Sequence, residues 1–210
     1  MEQPAPVARR ATWTDVTVEH HGVGLLRSFS ATASDGQLIG VVGPASESLD
    51  VALLTLVGRY VPIRGSVSIV GAPASIAVVA DPITDAIDDP LMKVREAVAE
   101  VSRIPQGSDR ASFTDWSLGA AGLADRSTRL IGDLTMAERV RLGLALAAAS
   151  GASVIVLDVS AVASDPGIAG LMSLLRQLAS SGRLVLVGAP AAHEAFDVVI
   201  PIPAPMEVVS

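Results

Sequence analysis

Three short runs of aliphatic residues, each bounded by turn residues, constrain the fold of this chain most strongly. They span residues 38–42, 153–157 and 184–187. Each run is apolar at nearly every position rather than at alternate positions, which is typical of strands buried on both faces of a parallel sheet. Helical patterns separate the runs along the chain. The sequence therefore predicts a three-layer α/β domain with a parallel core sheet.

The helical patterns have recognisable starts. They lie at residues 50–57, 91–101, 135–149 and 166–179. The third opens with Thr135 and Glu138, the spacing of a capping box. The fourth follows Asp165, which we predict as its N-cap, and begins at Pro166.

Weaker signals predict the edges of the domain. The runs at 67–70 and 76–79 predict either an antiparallel pair or two adjoining sheet edges, and residues 14–18 predict another edge strand. The stretch 81–130 has no strand signal, so we expect a helical insertion there. The predicted organisation is an N-terminal tail (1–11), an α/β core (12–80 and 131–203), the insertion (81–130) and a C-terminal tail (204–210).

Composition excludes several kinds of chemistry. The chain of 210 residues has no cysteine, so disulfides, thiolate metal sites and a cysteine nucleophile are ruled out. Three histidines make a structural zinc site unexpected. The formal charge of −7 disfavours nucleic-acid binding, which needs a basic face. The one lysine, Lys93, falls in the predicted insertion.

Hydropathy favours a cytoplasmic protein. The longest apolar stretch, 142–157, is shorter than the roughly 20 residues that a membrane-spanning helix needs, and Ser150 and Gly151 interrupt it. The first ten residues contain no apolar run typical of a secretory signal.

Two segments point to phosphate chemistry. Residues 38–58 read as strand, glycine-containing turn and helix, a unit that can surround an anion with backbone N–H groups. Residues 154–158 form a predicted buried strand that ends in Asp158, as does the metal-holding strand of P-loop NTPases.

The order of these pieces resembles the ATP-binding cassette (ABC) ATPase family over about residues 12–200. The matching segments are GPASESLD (43–50), KVREAVAE (93–100), LTMAERVRLGLALAAA (134–149), LDVSAVASD (157–165) and RLVLVGAP (183–190). The resemblance implies a P-loop NTPase-like fold that uses ATP and Mg²⁺. It also implies a dimeric cytoplasmic subunit, peripheral at the inner face of the membrane, that docks on a membrane permease or pairs with a second cassette.

The residues that the family uses to bind nucleotide are largely replaced. The resemblance assigns the nucleotide-binding positions to Gly43, Pro44, Ala45, Ser46, Glu47, Ser48, Leu49 and Asp50, with His20 or His21 where an aromatic ring would stack on adenine. Leu49 stands where the family has the phosphate-binding lysine, and Asp50 where it has the Mg²⁺-ligating hydroxyl.

The positions implied in hydrolysis are replaced as well. Val159 stands for the catalytic glutamate and Ala189 for the switch histidine, while the glutamine-loop position falls near Ala80 or Asp81. The resemblance further assigns Asp158 as a vestigial metal ligand and Asp165 to the D-loop. It places the signature segment at Leu134, Thr135, Met136, Ala137 and Glu138.

Three functions are consistent with this pattern. The first is a pseudo-ATPase with a structural or regulatory role on a permease or a partner cassette, with ATP binding weak or absent. The second is a divergent active ATPase in which Arg59 or Arg64 replaces the lysine charge. The third is a free-standing interaction domain that no longer binds nucleotide.

Several of these residues also have simpler interpretations. Asp158 is either a turn cap or a metal ligand, and His20 and His21 are exposed strand-end residues or an adenine platform. Glu47 and Asp50 mark a cation site or cap the following helix, and for Asp50 we favour the cap. The charged side chains at 138, 139 and 141 are a solvated helix face or a subunit contact.

Overall fold

The structure is a computed structural model that describes residues 10–44, 47–70, 76–79, 89–102 and 109–202. The strands are β1 (Arg10–His20), β2 (Val23–Ser34), β3 (Leu38–Val42), β4 (Arg64–Val70), β5 (Ile76–Val79), β6 (Val154–Asp158), β7 (Leu184–Ala189) and β8 (Val198–Pro201). The helices are α1 (Glu47–Leu56), α2 (Val94–Val101), α3 (Arg110–Ala120), α4 (Met136–Ala149) and α5 (Ile168–Ser180).

The predicted parallel core sheet is confirmed. Five strands lie in the order β5-β6-β7-β3-β8, and every neighbouring pair is parallel. The three aliphatic runs form its three inner strands, which explains why they are apolar on both faces. The sequence did not predict β8, because a short strand ending at Pro201 resembles the proline-rich tail that follows it.

A second, antiparallel sheet has the order β2-β1-β4. The prediction that residues 14–18 form an edge strand was wrong, because β1 pairs on both sides. Residues 67–70 and 76–79 do not pair with each other. They lie in β4 and β5, at edges of the two different sheets, as one of the two alternatives predicted.

Alternate residues of the parallel strands enter two separate cores. Ile155 and Val185 pack with α4 and α5, whereas Val156 and Leu186 pack with α1 and the antiparallel sheet. The indole Nε1 of Trp13 donates a hydrogen bond to the carbonyl of Leu56 (2.8 Å), which fixes the antiparallel sheet to the end of α1. The predicted three layers are therefore α4 with α5, the parallel sheet, and α1 with the antiparallel sheet.

The described part of the predicted insertion contains α2 and α3, which pack against α4 through Val94, Val98 and Leu118. Lys93 lies at the start of α2 and forms an ion pair with Glu96 (3.9 Å). Among the described residues, no helix is long and apolar enough to cross a bilayer.

Two of the predicted helix starts need correction. The third predicted helix is confirmed as α4, with Thr135 as its N-cap and Glu138 closing the capping box. Asp165, however, accepts a hydrogen bond from the Gly167 N–H (2.6 Å) in the preceding turn, and Gly167 is the N-cap of α5. Asp50 is not a cap either, since α1 begins at Glu47 and places Asp50 within its first turn.

Candidate functional site

The positions that the resemblance assigns to nucleotide chemistry meet at the carboxyl ends of three neighbouring parallel strands. Gly43 follows β3, Asp158 ends β6 and Ala189 ends β7. The Gly43 N–H donates to the Ala189 carbonyl (3.0 Å), and the Val159 N–H donates to the Gly188 carbonyl (2.9 Å). In open α/β sheets, ligands bind at such an edge, and we call the opening above it the cleft.

Leu49 lies beneath the cleft rather than in it. Its side chain is fully buried in the core that α1 shares with the sheet. Gly188 admits this packing, because a Cβ there would lie 2.8 Å from Leu53 Cδ1 and 3.2 Å from Leu49 Cδ2. The position that the resemblance assigns to the family's phosphate-binding lysine is therefore occupied by a core side chain.

Three carboxylates gather near the cleft. Partial burial of the Asp50 carboxyl raises its pKa, and the charges of Asp158 and then Glu47 raise that pKa further. Asp158 Oδ1 accepts the Ser160 N–H (2.8 Å) in the single helical turn that follows β6, but the N-cap of that turn is Val159.

The two positions implied in hydrolysis carry no group that can transfer a proton. Val159 and Ala189 are both buried aliphatic side chains. Ala45, Ser46, Ala80 and Asp81 were also assigned to the site from the sequence, but they lie outside the described residues.

The side chains of His20, His21 and Glu47 form a cluster at the N-terminus of α1. His20 Nε2 lies 3.5 Å from Glu47 Oε1, and the two imidazole centroids are 4.1 Å apart. The sequence predicted a role for the histidines and for Glu47 separately. It missed their juxtaposition, because a turn, two strands and the phosphate loop separate them along the chain.

The signature segment is held by bonds within the chain. Glu138 closes the capping box on Thr135 and forms an ion pair with Arg126 (2.6 Å). The hydrogen bond that Glu138 accepts from Arg126 is the largest cause of its lowered pKa, and the bond from the Thr135 backbone N–H is the next. Met136 is exposed, Ala137 is half-buried and Leu134 is buried.

The solvated-face interpretation of residues 138, 139 and 141 was wrong. Besides the Glu138 ion pair, Arg139 donates to the carbonyls of Leu134 (3.1 Å) and Gly132 (3.2 Å). Arg141 donates to the carbonyl of Gly167 (3.2 Å), which ties α4 to the turn before α5. These side chains fix loops to α4.

Solved structures identify the class of fold. The chain superposes on a putative ABC transporter ATP-binding protein from Pyrococcus furiosus with a TM-score of 0.74 and 17% identity, over 92% of this chain and 97% of that one. It superposes on cbiO1 from Clostridium perfringens, described as part of the ABC transporter complex cbiONQ, with a TM-score of 0.70 and 16% identity, over 91% and 84% of the chains. The fold is that of ABC ATP-binding proteins.

Sequence relatives agree with the fold. The cobalamin import ATP-binding protein BtuD of Halobacterium salinarum is 32% identical over 158 residues, which is 69% of this chain but only 39% of that protein. The manganese transport system ATP-binding protein MntB of Bacillus subtilis is 26% identical over 186 residues, 82% of this chain and 74% of that protein. No protein-family model matches the chain.

These comparisons confirm the resemblance stated from the sequence. The chain is a relative of the ATP-binding subunits of ABC transporters, and it has their P-loop NTPase-like fold.

Proposed function

We propose that this chain is a pseudo-ATPase of the ABC type, with a structural or regulatory role on a membrane permease or on a partner cassette. The observation that carries the proposal is the fully buried side chain of Leu49, where the family has its phosphate-binding lysine. A cation at that position would pair with the phosphates, and a buried leucine cannot.

The charges around the cleft support the same proposal. Glu47, Asp50 and Asp158 are close enough for the other two to raise the pKa of Asp50. A carboxylate about 4 Å from a phosphate charge is repelled by on the order of 4 kcal/mol at an effective dielectric near 20. The cleft therefore disfavours a triphosphate.

Of the two arginines that a divergent ATPase could use, Arg59 and Arg64, the second has an acidic partner outside the cleft. Arg64 forms an ion pair with Asp15 (2.9 Å) on the antiparallel sheet. Asp158 is a family-equivalent group that could still hold Mg²⁺, and its carboxylate chemistry suits that ion. Mg²⁺ and ATP, where bound, would supply the phosphoryl-transfer chemistry of the family. In this chain neither Val159 nor Ala189 can position or deprotonate an attacking water.

Thermal unfolding with and without millimolar Mg-ATP tests the loss of nucleotide binding. A site filled at about 100 times its dissociation constant would add roughly 2.7 kcal/mol. For a chain of this size that addition corresponds to a rise in Tm of about 5–10 °C. We expect no ATP-specific rise, with ADP and inorganic phosphate as comparison ligands.

Phosphate release separates the pseudo-ATPase from a divergent active enzyme. We expect the native chain to release phosphate no faster than its Asp158→Asn variant, which lacks the candidate metal ligand. Turnover by the native chain that the variant loses would overturn the proposal and identify an active ATPase.

The proposed partners are tested by recovering the chain from its native membranes after mild cross-linking. We expect it to be cross-linked to a multi-spanning membrane protein or to a second cassette. Recovery with a soluble partner alone would favour the interaction domain instead.

A further inference from the structure

A tight turn brings two imidazole rings together at the edge of the cleft. His20 ends β1 and pairs with Val23 at the start of β2, which leaves a two-residue hairpin loop of His21 and Gly22. Both loop residues have positive φ, +49° and +77°, as a type I′ turn requires. Apart from glycine, histidine is with asparagine and aspartate among the residues that adopt this backbone region most often. The turn sets the ring centroids of His20 and His21 4.1 Å apart.

The first residue of α1 completes a three-sided arrangement. One ligand atom from each of His20, His21 and Glu47 lies within 4.8 Å of the others. His20 Nε2 and Glu47 Oε1 are 3.5 Å apart. In a tetrahedral zinc site with bonds of 2.0–2.1 Å, neighbouring ligand atoms are about 3.3 Å apart. The His20–Glu47 pair already has this spacing, and side-chain rotations at exposed residues can close the remaining gap.

The ligand set is that of an open metal site rather than a closed structural one. Two imidazoles and one carboxylate occupy three positions of a tetrahedron and leave the fourth to water or another ligand. The His20 side chain is 18% exposed and that of Glu47 is 76% exposed, so an ion can reach the cluster from solvent. Imidazole nitrogen favours zinc and its first-row neighbours over Mg²⁺, which prefers oxygen ligands.

The surroundings also favour a cation. Asp50 lies one turn along α1 from Glu47, and its carboxylate shares the cleft with Asp158. A positive ion held by the histidines would offset the repulsion among these acidic side chains. A bound nucleotide, which is negatively charged, would increase this repulsion.

We propose that His20, His21 and Glu47 bind a divalent first-row transition metal ion of the Zn²⁺ class. The ion fastens the β1–β2 hairpin to the N-terminus of α1, across the mouth of the cleft. The site does not depend on the loss of ATPase activity, and its test uses no nucleotide.

Calorimetric titration of the full chain with Zn²⁺, after removal of any histidine tag, tests the site directly. We expect one ion per chain, a rise in Tm with Zn²⁺ and no rise with Mg²⁺. Co²⁺ should give the visible absorption bands of a four- or five-coordinate site, a signal that a merely structural role for these residues would not produce.

Two variants and a matched control locate the ion. His21→Asn keeps a residue suited to positive φ, and Glu47→Gln changes an exposed side chain, so both should fold. In metal sites, removing a side chain that only hydrogen-bonds to a metal ligand weakens metal binding about 10- to 100-fold. Removing a ligand itself, as each of these variants does, should therefore lower the Zn²⁺ affinity about tenfold or more. His193→Asn changes the third histidine and should leave the affinity unchanged. Absence of saturable Zn²⁺ binding, or equal affinity in His21→Asn and the native chain, would overturn the proposal.

Discussion

At the scale of single residues, the side chains buried beneath the cleft limit which residues can stand at its base. Leu49 and Leu53 reach the sheet over Gly188, where a Cβ would lie within 2.8 Å of Leu53. The leucine at position 49 thus contributes to the core of the domain. A charged side chain at this position would have to leave that core or be buried without a partner.

Restoring the family's lysine should therefore destabilise the chain. We expect Leu49→Lys to lower the free energy of unfolding by about 2–4 kcal/mol, because it removes buried apolar contacts and places an ammonium group beside them. Leu49→Met, which keeps the volume and the apolar character, should cost less than about 1.5 kcal/mol. Urea unfolding of the two variants measures the difference.

The same variant bears on nucleotide binding. If Mg-ATP raises the Tm of Leu49→Lys by several degrees but leaves the native chain unchanged, the cleft lacks only the lysine. We expect no such rescue, since the carboxylates at 47, 50 and 158 remain.

At the scale of elements, β4 joins the antiparallel sheet through a glycine at a position that leaves no space for a side chain. Gly65 has φ +86°, and a Cβ at this position would lie 2.3 Å from the carbonyl oxygens of both Thr14 and Asp15. Both oxygens belong to the backbone of β1, where Thr14 pairs with Ser66 of β4, so moving them aside would disturb the pairing of these two strands.

Gly65→Ala should accordingly cost about 2–4 kcal/mol of stability, since it combines backbone strain with a backbone clash. Gly36→Ala is the matched control. Gly36 has nearly the same φ (+84°), but a Cβ at this position would have no other atom within 4 Å. Gly36→Ala should lower the free energy of unfolding only by the backbone strain, about 1–2 kcal/mol. Equal losses in thermal unfolding would contradict the role given to the clash.

At the scale of the whole molecule, acidic side chains join parts that are distant in sequence. Asp197 accepts the Leu38 N–H (2.7 Å) and two hydrogen bonds from Arg176, and so connects β3, β8 and α5. The bonds from Arg176 first, with that from Leu38, lower the pKa of Asp197. Hydrogen bonds from Ser112 and Ala111 lower the pKa of Asp109, the N-cap of α3, as those of Arg126 and Thr135 do for Glu138.

Acid should therefore weaken the fold. Each of these three carboxyls has a lower pKa in the folded chain than in the unfolded one, where it is about 4. Their stabilisation is complete above that value and is lost as the pH falls through the folded pKa values. The raised pKa of Asp50 acts in the opposite sense, because protonation removes a partly buried charge and then its repulsion by Asp158 and Glu47. We expect the free energy of unfolding to fall below about pH 4.

Asp197→Asn provides the control for the acid prediction. The variant should be less stable than the native chain at pH 7 by about 1–2 kcal/mol, because a charged hydrogen-bond acceptor is lost. Its stability should fall less on acidification, so the two pH profiles converge as the pH falls below about 4. Profiles that stay parallel would show that Asp197 does not contribute through its charge.

The sequence by itself determined the parts of this protein that depend on neighbours along the chain. The three inner strands followed from continuous apolar runs, and the start of α4 followed from the spacing of Thr135 and Glu138. The resemblance also predicts, from residue identities, that the family's lysine, glutamate and histidine are replaced at Leu49, Val159 and Ala189.

Only the tertiary structure decided which distant residues meet. It placed β1 in the middle of its sheet, it buried Leu49 over Gly188, and it brought Glu47 to within 3.5 Å of His20. Such contacts arise when separate elements pack together, and no local pattern encodes the distance between a hairpin turn and the start of a helix. The metal site that we propose at His20, His21 and Glu47 depends on that packing.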